Sequence, residues 1–280
     1  MNQDISICVL SENEMGWTEP FELDKVQILD NYYLSAQKSD IAFLKKMDTA
    51  RLLAGFRTTA GIDTKGVRPY GGWEDSLLGG HCVGHYLTAL AQAVKVTGDK
   101  ELKEKSQTLI AGLEECQKKL GTGFLFGAKV EDKEDVEKQF DILEGKKKGE
   151  TWVPWYNMHK VLAGLVDTYK YTGNETALLV AEKLGDWIYE RVSKCDLKTN
   201  QKVLETEYGG MNDCLYELYS YSHNKHHLEA AQKFDEKALF LMAAKGEKNC
   251  LDGKHANTQI PKFIGAIKRY NVLKQLGEAK

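Results

Sequence analysis

Four stretches hold most of the chemically capable side chains of this 280-residue sequence: GGWEDSLLGGHCVGH (71–85), ETWVPWYNMH (150–159), LETEYGGMND (204–213) and GKHANTQIP (253–261). Carboxylates stand beside aromatics and glycines, Glu207 in EYGGM and the pair Glu74 and Asp75 in GWED. Two such acids have the chemistry of a general acid and general base in glycoside cleavage. Placed at helix N-termini, the same acids would complement the helix dipole instead. His81 and His85, four residues apart with Cys82 between them, share one face if 78–85 is helical. With no third ligand in register, hydrogen bonding to a polar ligand is the stronger reading than a metal site. His159 and His255 each precede an apolar helical run at matching places, either as ligand contacts or as core histidines satisfied by backbone. Trp73, Trp152 and Trp155 are rings suited to stacking on sugars or to packing beneath loops.

These stretches need elements to position them, and the strongest signal for such elements is a recurring helical hairpin. GHYLTALAQAVKVTGDK places Val83, Leu87, Leu90, Ala91 and Val94 at helical spacing, and its partner buries Leu102, Leu109, Leu113 and Cys116 on one face. HKVLAGLVDTYKYTGN pairs with a helix whose stripe is Ala177, Val180, Ala181, Leu184, Trp187 and Ile188. NDCLYELYSYSHN opens a third pair, and PKFIGAIKRYNVLKQLGE is a fourth first helix. The turns TGD, TGN, SHN and LGE mark the same corner. First helices are rich in small residues, among them Gly84, Ala89, Gly164 and Gly265, whereas second helices carry Lys and Glu on a polar face. That contrast predicts an inner ring and an outer ring, with an earlier helical region at about 33–56.

In such an array all inner helices run the same way, so the four stretches gather at one end as a concave, polar and aromatic face. Asn257 or Thr258 is placed to cap the last inner helix, with Pro261 in its first turn. The cluster His223, His226 and His227 falls at the opposite end and reads as solvated. Residues 121–150 form the one long irregular stretch, read as a solvated surface insertion with a flap over the site as the alternative.

The balance of 38 basic against 41 acidic residues favours neither nucleic acid nor an anionic membrane. The N-terminus has neither a basic leader nor a long apolar run, so cytoplasmic residence is the expectation. Six cysteines without CxxC spacing argue against a zinc ribbon or a disulfide framework and for reduced, buried thiols. No GxSxG, HExxH, P-loop or dinucleotide motif occurs.

The motifs FELDKVQILDNYYLSAQ, DTARLLAGFRTTAGI, GGWE, GGHCVGHYLTALA, WVPWYNMHKVLAGLVDTY, EYGGMND and HANTQIPKFIGAIKRY, in this order, closely resemble the β-L-arabinofuranosidases of glycoside hydrolase family 127. The resemblance implies an (α/α)6 barrel acting on an arabinose-containing oligosaccharide, from which terminal L-arabinofuranose is released. It further implies that His85, His159 and His255 face the sugar pocket. By their place in the four stretches, Trp73, Trp155 and Asn257 are further candidate contacts. Members of that family carry, further along, a glutamate proposed as acid/base and a zinc-holding cysteine cluster with the proposed nucleophile. Their Glu-x-Cys and Cys-Cys signatures do not occur here. The expectation is therefore a single partial all-α barrel over 1–280, about two-thirds of a toroid, with an extended N-terminal segment at 1–30. It would hold no cofactor or metal of its own, have little or no activity alone, and be completed by a second polypeptide.

Overall fold

The computed structural model describes residues 20–130, 132–207, 209–247 and 250–277, and the greater part of the segment read as extended lies outside them. The first five α-helices are α1 (Asn31–Lys46), α2 (Thr49–Thr59), α3 (His81–Thr97), α4 (Lys100–Leu120) and α5 (Lys138–Leu143). They are followed by α6 (Pro154–Thr172), α7 (Glu175–Val192), α8 (Leu197–Thr206) and α9 (Met211–Ser222). Last come α10 (Lys225–Lys233), α11 (Lys237–Ala244) and α12 (Ala256–Gln275). No strand occurs among the described residues, and no described helix is long and apolar enough to cross a membrane.

Three corners of one construction organise this all-α, toroid-like array. Gly98, Gly173 and His223 end α3, α6 and α9 in the left-handed conformation. The next residue then caps the following helix, Asp99 on Leu102 N–H, Asn174 on Ala177 N–H and Asn224 on His226 N–H. Each corner is local chemistry, which is why it is visible as TGD, TGN and SHN. The predicted stripes of α4 and α7 are buried throughout, as is that of α3 except for half-buried Val94. Each fully buried leucine among them contributes about 2 kcal/mol.

The small residues of the inner helices let backbones touch. A Cβ on Gly84 of α3 would lie 1.9 Å from the Lys160 carbonyl oxygen of α6, and one on Gly164 would lie 2.5 Å from the Gly84 carbonyl oxygen. At the next contact but one, a Cβ on Gly265 of α12 would strike the Asn212 amide of α9 at 2.2 Å. The inner series is thus α3, α6, α9 and α12, with α4, α7 and α10 outside. The helical region expected at 33–56 is two helices, α1 and α2, and α2 sends Leu53 against Gly112 of α4.

Three expectations are corrected. The stretch 121–150 is not solvated throughout: 132–134 and 145–150 are exposed, but Phe124, Leu125, Phe126 and Phe140 are at most 2% exposed. Phe124 and Phe140 pack on Trp187 of α7 at 4.7 and 5.4 Å between ring centres. Three acids of the segment, Glu137, Asp141 and Glu144, share a face at i, i+4 and i+7. All three bind the Arg191 guanidinium at 2.6–2.8 Å. Second, His227 is fully buried, its Nδ1 2.7 Å from Ser222 Oγ and its Nε2 3.2 Å from the Glu182 carbonyl, while His223 and His226 are exposed. Third, α12 starts at Ala256 with His255 as its N-cap, so neither Asn257 nor Thr258 caps it and Pro261 sits in its second turn. Of the cysteines within the described residues, Cys116 and Cys214 are buried and Cys82, Cys195 and Cys250 are half-buried.

Candidate functional site

The outer helices α4, α7 and α10 carry their own Asp or Asn caps, but the inner helices do not. Gly80, Val153, Gly210 and His255 occupy the N-cap positions of α3, α6, α9 and α12 without a side-chain capping bond. Acids from elsewhere serve two of these ends. Glu74 accepts from Gly80 N–H at 2.9 Å and from Cys82 N–H at 3.2 Å. Glu207, at the end of α8, accepts from Trp155 N–H and Tyr156 N–H, each at 3.1 Å, across 52 and 51 residues. Pro154 at the start of α6 has no N–H to offer, so these are the first two donors of that helix.

The same bonds tie the four leading segments together. Asn157 Nδ2 donates to the Gly79 carbonyl at 2.5 Å, joining the starts of α6 and α3. Gly209 N–H donates to the Thr258 carbonyl at 3.0 Å, joining the starts of α9 and α12. With Glu207 bridging α9's lead to α6, the stretches 74–80, 153–157 and 255–259, together with residues 207, 209 and 210, are bonded into one rim.

On that rim, Trp73 is 65% exposed, and Asp75, His85, His255 and Asn257 are exposed as well. His81 stands among Trp73, His85 and Tyr156 at 6.2, 6.2 and 6.4 Å between ring centres. His159 lies beneath, 5% exposed, under Tyr156 at 5.3 Å and against Gly210, where a Cβ would come within 2.3 Å of its Nε2. Trp152 is 43% exposed. Trp155 is a correction: it is 2% exposed and packs on Phe140 and Phe234 at 4.8 and 5.0 Å, so its ring belongs to the core and not to a sugar platform. Glu74 and Glu207 are buried, as helix caps.

Sequence reading missed a second set of groups, between the inner helices. A cavity of about 220 Å³ is lined by Asp167 and Lys170 of α6, Asp213 and Glu217 of α9, and Lys268 of α12. Thr88 of α3 donates to Asp167 at 2.7 Å, and Glu217 pairs with Lys170 at 2.9 Å and with Lys268. Burial, together with the neighbouring Glu217, pushes Asp167 and Asp213 above the usual carboxylate range. Burial opposes ionisation of Glu217 as well, but its two lysine partners outweigh it and hold it low. Charges inside otherwise small and apolar first helices, at i and i+4 for Asp213 and Glu217, were the available signal.

Burial holds His159 well below the ordinary imidazole value of 6.5, with the Lys160 cation acting in the same sense. The folded state therefore resists a proton that the unfolded chain accepts. The stability this contributes is complete above about pH 6.5 and is lost as pH falls below it, at up to about 1.4 kcal/mol per pH unit. His227, also lowered, acts in the same direction. Urea melts at pH 7.5 and 5.0 check this: His159→Asn should show a smaller loss on acidification than the parent chain, and an unchanged loss would refute it.

Glu74, His81 and Cys82 bring one carboxylate oxygen, one ring nitrogen and one thiol within 4.8 Å of one another. They do not fit a zinc ion. His81 Nδ1 faces two acceptors, the Leu78 carbonyl at 2.8 Å and Glu74 Oε1 at 2.9 Å, and so carries a proton. Only Nε2 and the Cys82 thiol remain to point at one place, two ligands where a structural zinc takes four.

The fold is similar to that of a GH127 β-L-arabinofuranosidase from Geobacillus stearothermophilus T6, with a TM-score of 0.51 and 16% identity, over 91% of this chain and 40% of that one. The chain thus spans well under half the length of that enzyme. No curated protein matches the sequence. The family model of the β-L-arabinofuranosidase GH127 catalytic domain matches residues 25–280, and the chain belongs to that family.

Proposed function

We propose that the rim at the N-terminal ends of α3, α6, α9 and α12 binds the terminal L-arabinofuranose of an arabinose-containing oligosaccharide. The supporting observation is that four segments distant in sequence are hydrogen-bonded into one rim carrying exposed Trp73, His85, His255 and Asn257. The Trp73 indole offers a face for the sugar ring, and the two imidazoles and the amide offer donors and acceptors for its hydroxyls. His159 acts from below by holding Tyr156 and Gly210 in place.

Glu74 and Glu207, the two buried acids of the rim, both accept backbone N–H groups. That engagement favours capping over acid/base catalysis in the complete-hydrolase reading that pairs Glu207 with Glu74 or Asp75. We therefore assign to these 280 residues the positioning of the sugar, and to residues outside them, on the same or a second polypeptide, the nucleophile, the acid/base and any zinc. A methyl β-L-arabinofuranoside titration followed by ligand-observed NMR tests this. Binding without turnover is expected, weakened about tenfold by His255→Ala. No binding, with the fold intact, would refute the rim; turnover abolished by Glu207→Gln would establish the complete-hydrolase reading instead.

A further inference from the structure

The cluster that fails as a zinc site has another geometry built into it. Glu74 Oε1 holds the proton on His81 Nδ1 at 2.9 Å, and the Leu78 carbonyl fixes the same edge of the ring at 2.8 Å. The opposite nitrogen, Nε2, then lies 3.7 Å from Cys82 Sγ. Carboxylate, imidazole and thiol stand in the order orienter, base and nucleophile, the arrangement by which a thiol is activated. His81 is 6% exposed and so held in one orientation, whereas Cys82 is half-buried and open to small reagents. Cys82 also occupies the second position of α3, where the positive end of the helix dipole favours an anion.

We infer that Glu74, His81 and Cys82 form a triad that makes Cys82 a covalent modification site for soft electrophiles, distinct from the sugar-binding role of the rim. His81 Nε2 takes the thiol proton. The sulfur electron pair then forms a bond to the electrophilic carbon as the leaving group departs with its own pair. The proton stays on the imidazole, whose charge the Glu74 carboxylate balances. Burial works against this imidazolium, but its hydrogen bonds with Cys82, Glu74 and Leu78 push His81 up to about 10. Burial works against the Glu74 carboxylate too, but its bonds with His81, Gly80 N–H and Cys82 hold it below its ordinary value. No other cysteine among the described residues has this arrangement. Cys195 Sγ donates to the Arg191 carbonyl and is pushed up by burial, and Cys116 and Cys214 are buried and raised likewise.

The test is timed alkylation of the folded 280-residue chain with limiting iodoacetamide, with EDTA present, and adducts assigned by peptide mass spectrometry. Cys82 should react about tenfold or more faster than Cys195 and Cys250, which are comparably half-buried. His81→Gln should slow Cys82 by about the same factor while leaving Cys250 unchanged. Buried Cys116 and Cys214 report the fold in the same digest by staying unmodified. If His81→Gln unmasks them, the parent chain decides alone. Cys82 reacting no faster than Cys250, or as fast in a folded His81→Gln variant as in the parent, would overturn the inference.

Discussion

Gly84→Ala should cost about 3 kcal/mol or more, a large part of the roughly 5–15 kcal/mol that holds a domain folded. The added Cβ would lie 1.9 Å from the Lys160 carbonyl oxygen, 2.1 Å from its carbon and 2.7 Å from Val161 N, all of them backbone. A flexible side chain could swing aside, but a helix backbone can only retreat as a body. Moving α3 from α6 would strip contacts from Val83, Leu87, Val161 and Leu165, each at most 1% exposed. It would also pull at the Thr88 to Asp167 bond and at the Asn157 to Gly79 bond that closes the rim. Gly71→Ala is the control, since nothing lies within 4 Å of its Cβ position and its φ is −71°. Urea denaturation of both variants measures the effect. A Gly84→Ala chain within about 1 kcal/mol of the parent would show that the two helices do not touch at this point.

Glu207→Ala is expected to lower stability by about 3 kcal/mol, from two lost hydrogen bonds to a charged acceptor of a residue 1% exposed. Both donors belong to the first turn of α6, which would fray and release the lead of α9 with it. Glu207→Gln keeps one acceptor oxygen and loses the charge that favours the helix N-terminus, so about half of the cost should remain. Thermal melts, with amide exchange at Trp155 and Tyr156, give the readout. Unchanged stability in Glu207→Ala would remove the capping role and return this carboxylate to the candidates for catalysis.

Trp155 and Trp73 look alike in sequence, each an aromatic in a lead to an inner helix. One stands in the core and the other in solvent because Phe140 and Phe234, 15 and 79 residues away, cover only the first. His227 was misread for a similar reason. Its burial depends on Gly185 of the preceding outer helix, where a Cβ would come within 2.7 Å of the imidazole. The acids of 121–150 suggest solvent until Arg191 is placed opposite them.

What the sequence by itself determined is the hairpin, its corners and the inner and outer faces. Each depends on forces that act within one or two turns: apolar periodicity, a left-handed residue followed by an Asx cap, and small side chains in one register. The direction of the inner helices follows from that repetition, and so does the gathering of their leads at one end. Only the tertiary structure decided which of the gathered residues are exposed on the rim and which are buried beneath it or bonded to the helix starts. Buried donors at a helix start must find acceptors, and for α6 the nearest acceptor is Glu207, half a hundred residues away in the chain. The same requirement places Glu74 over the start of α3 and thereby sets the orientation of His81 toward Cys82.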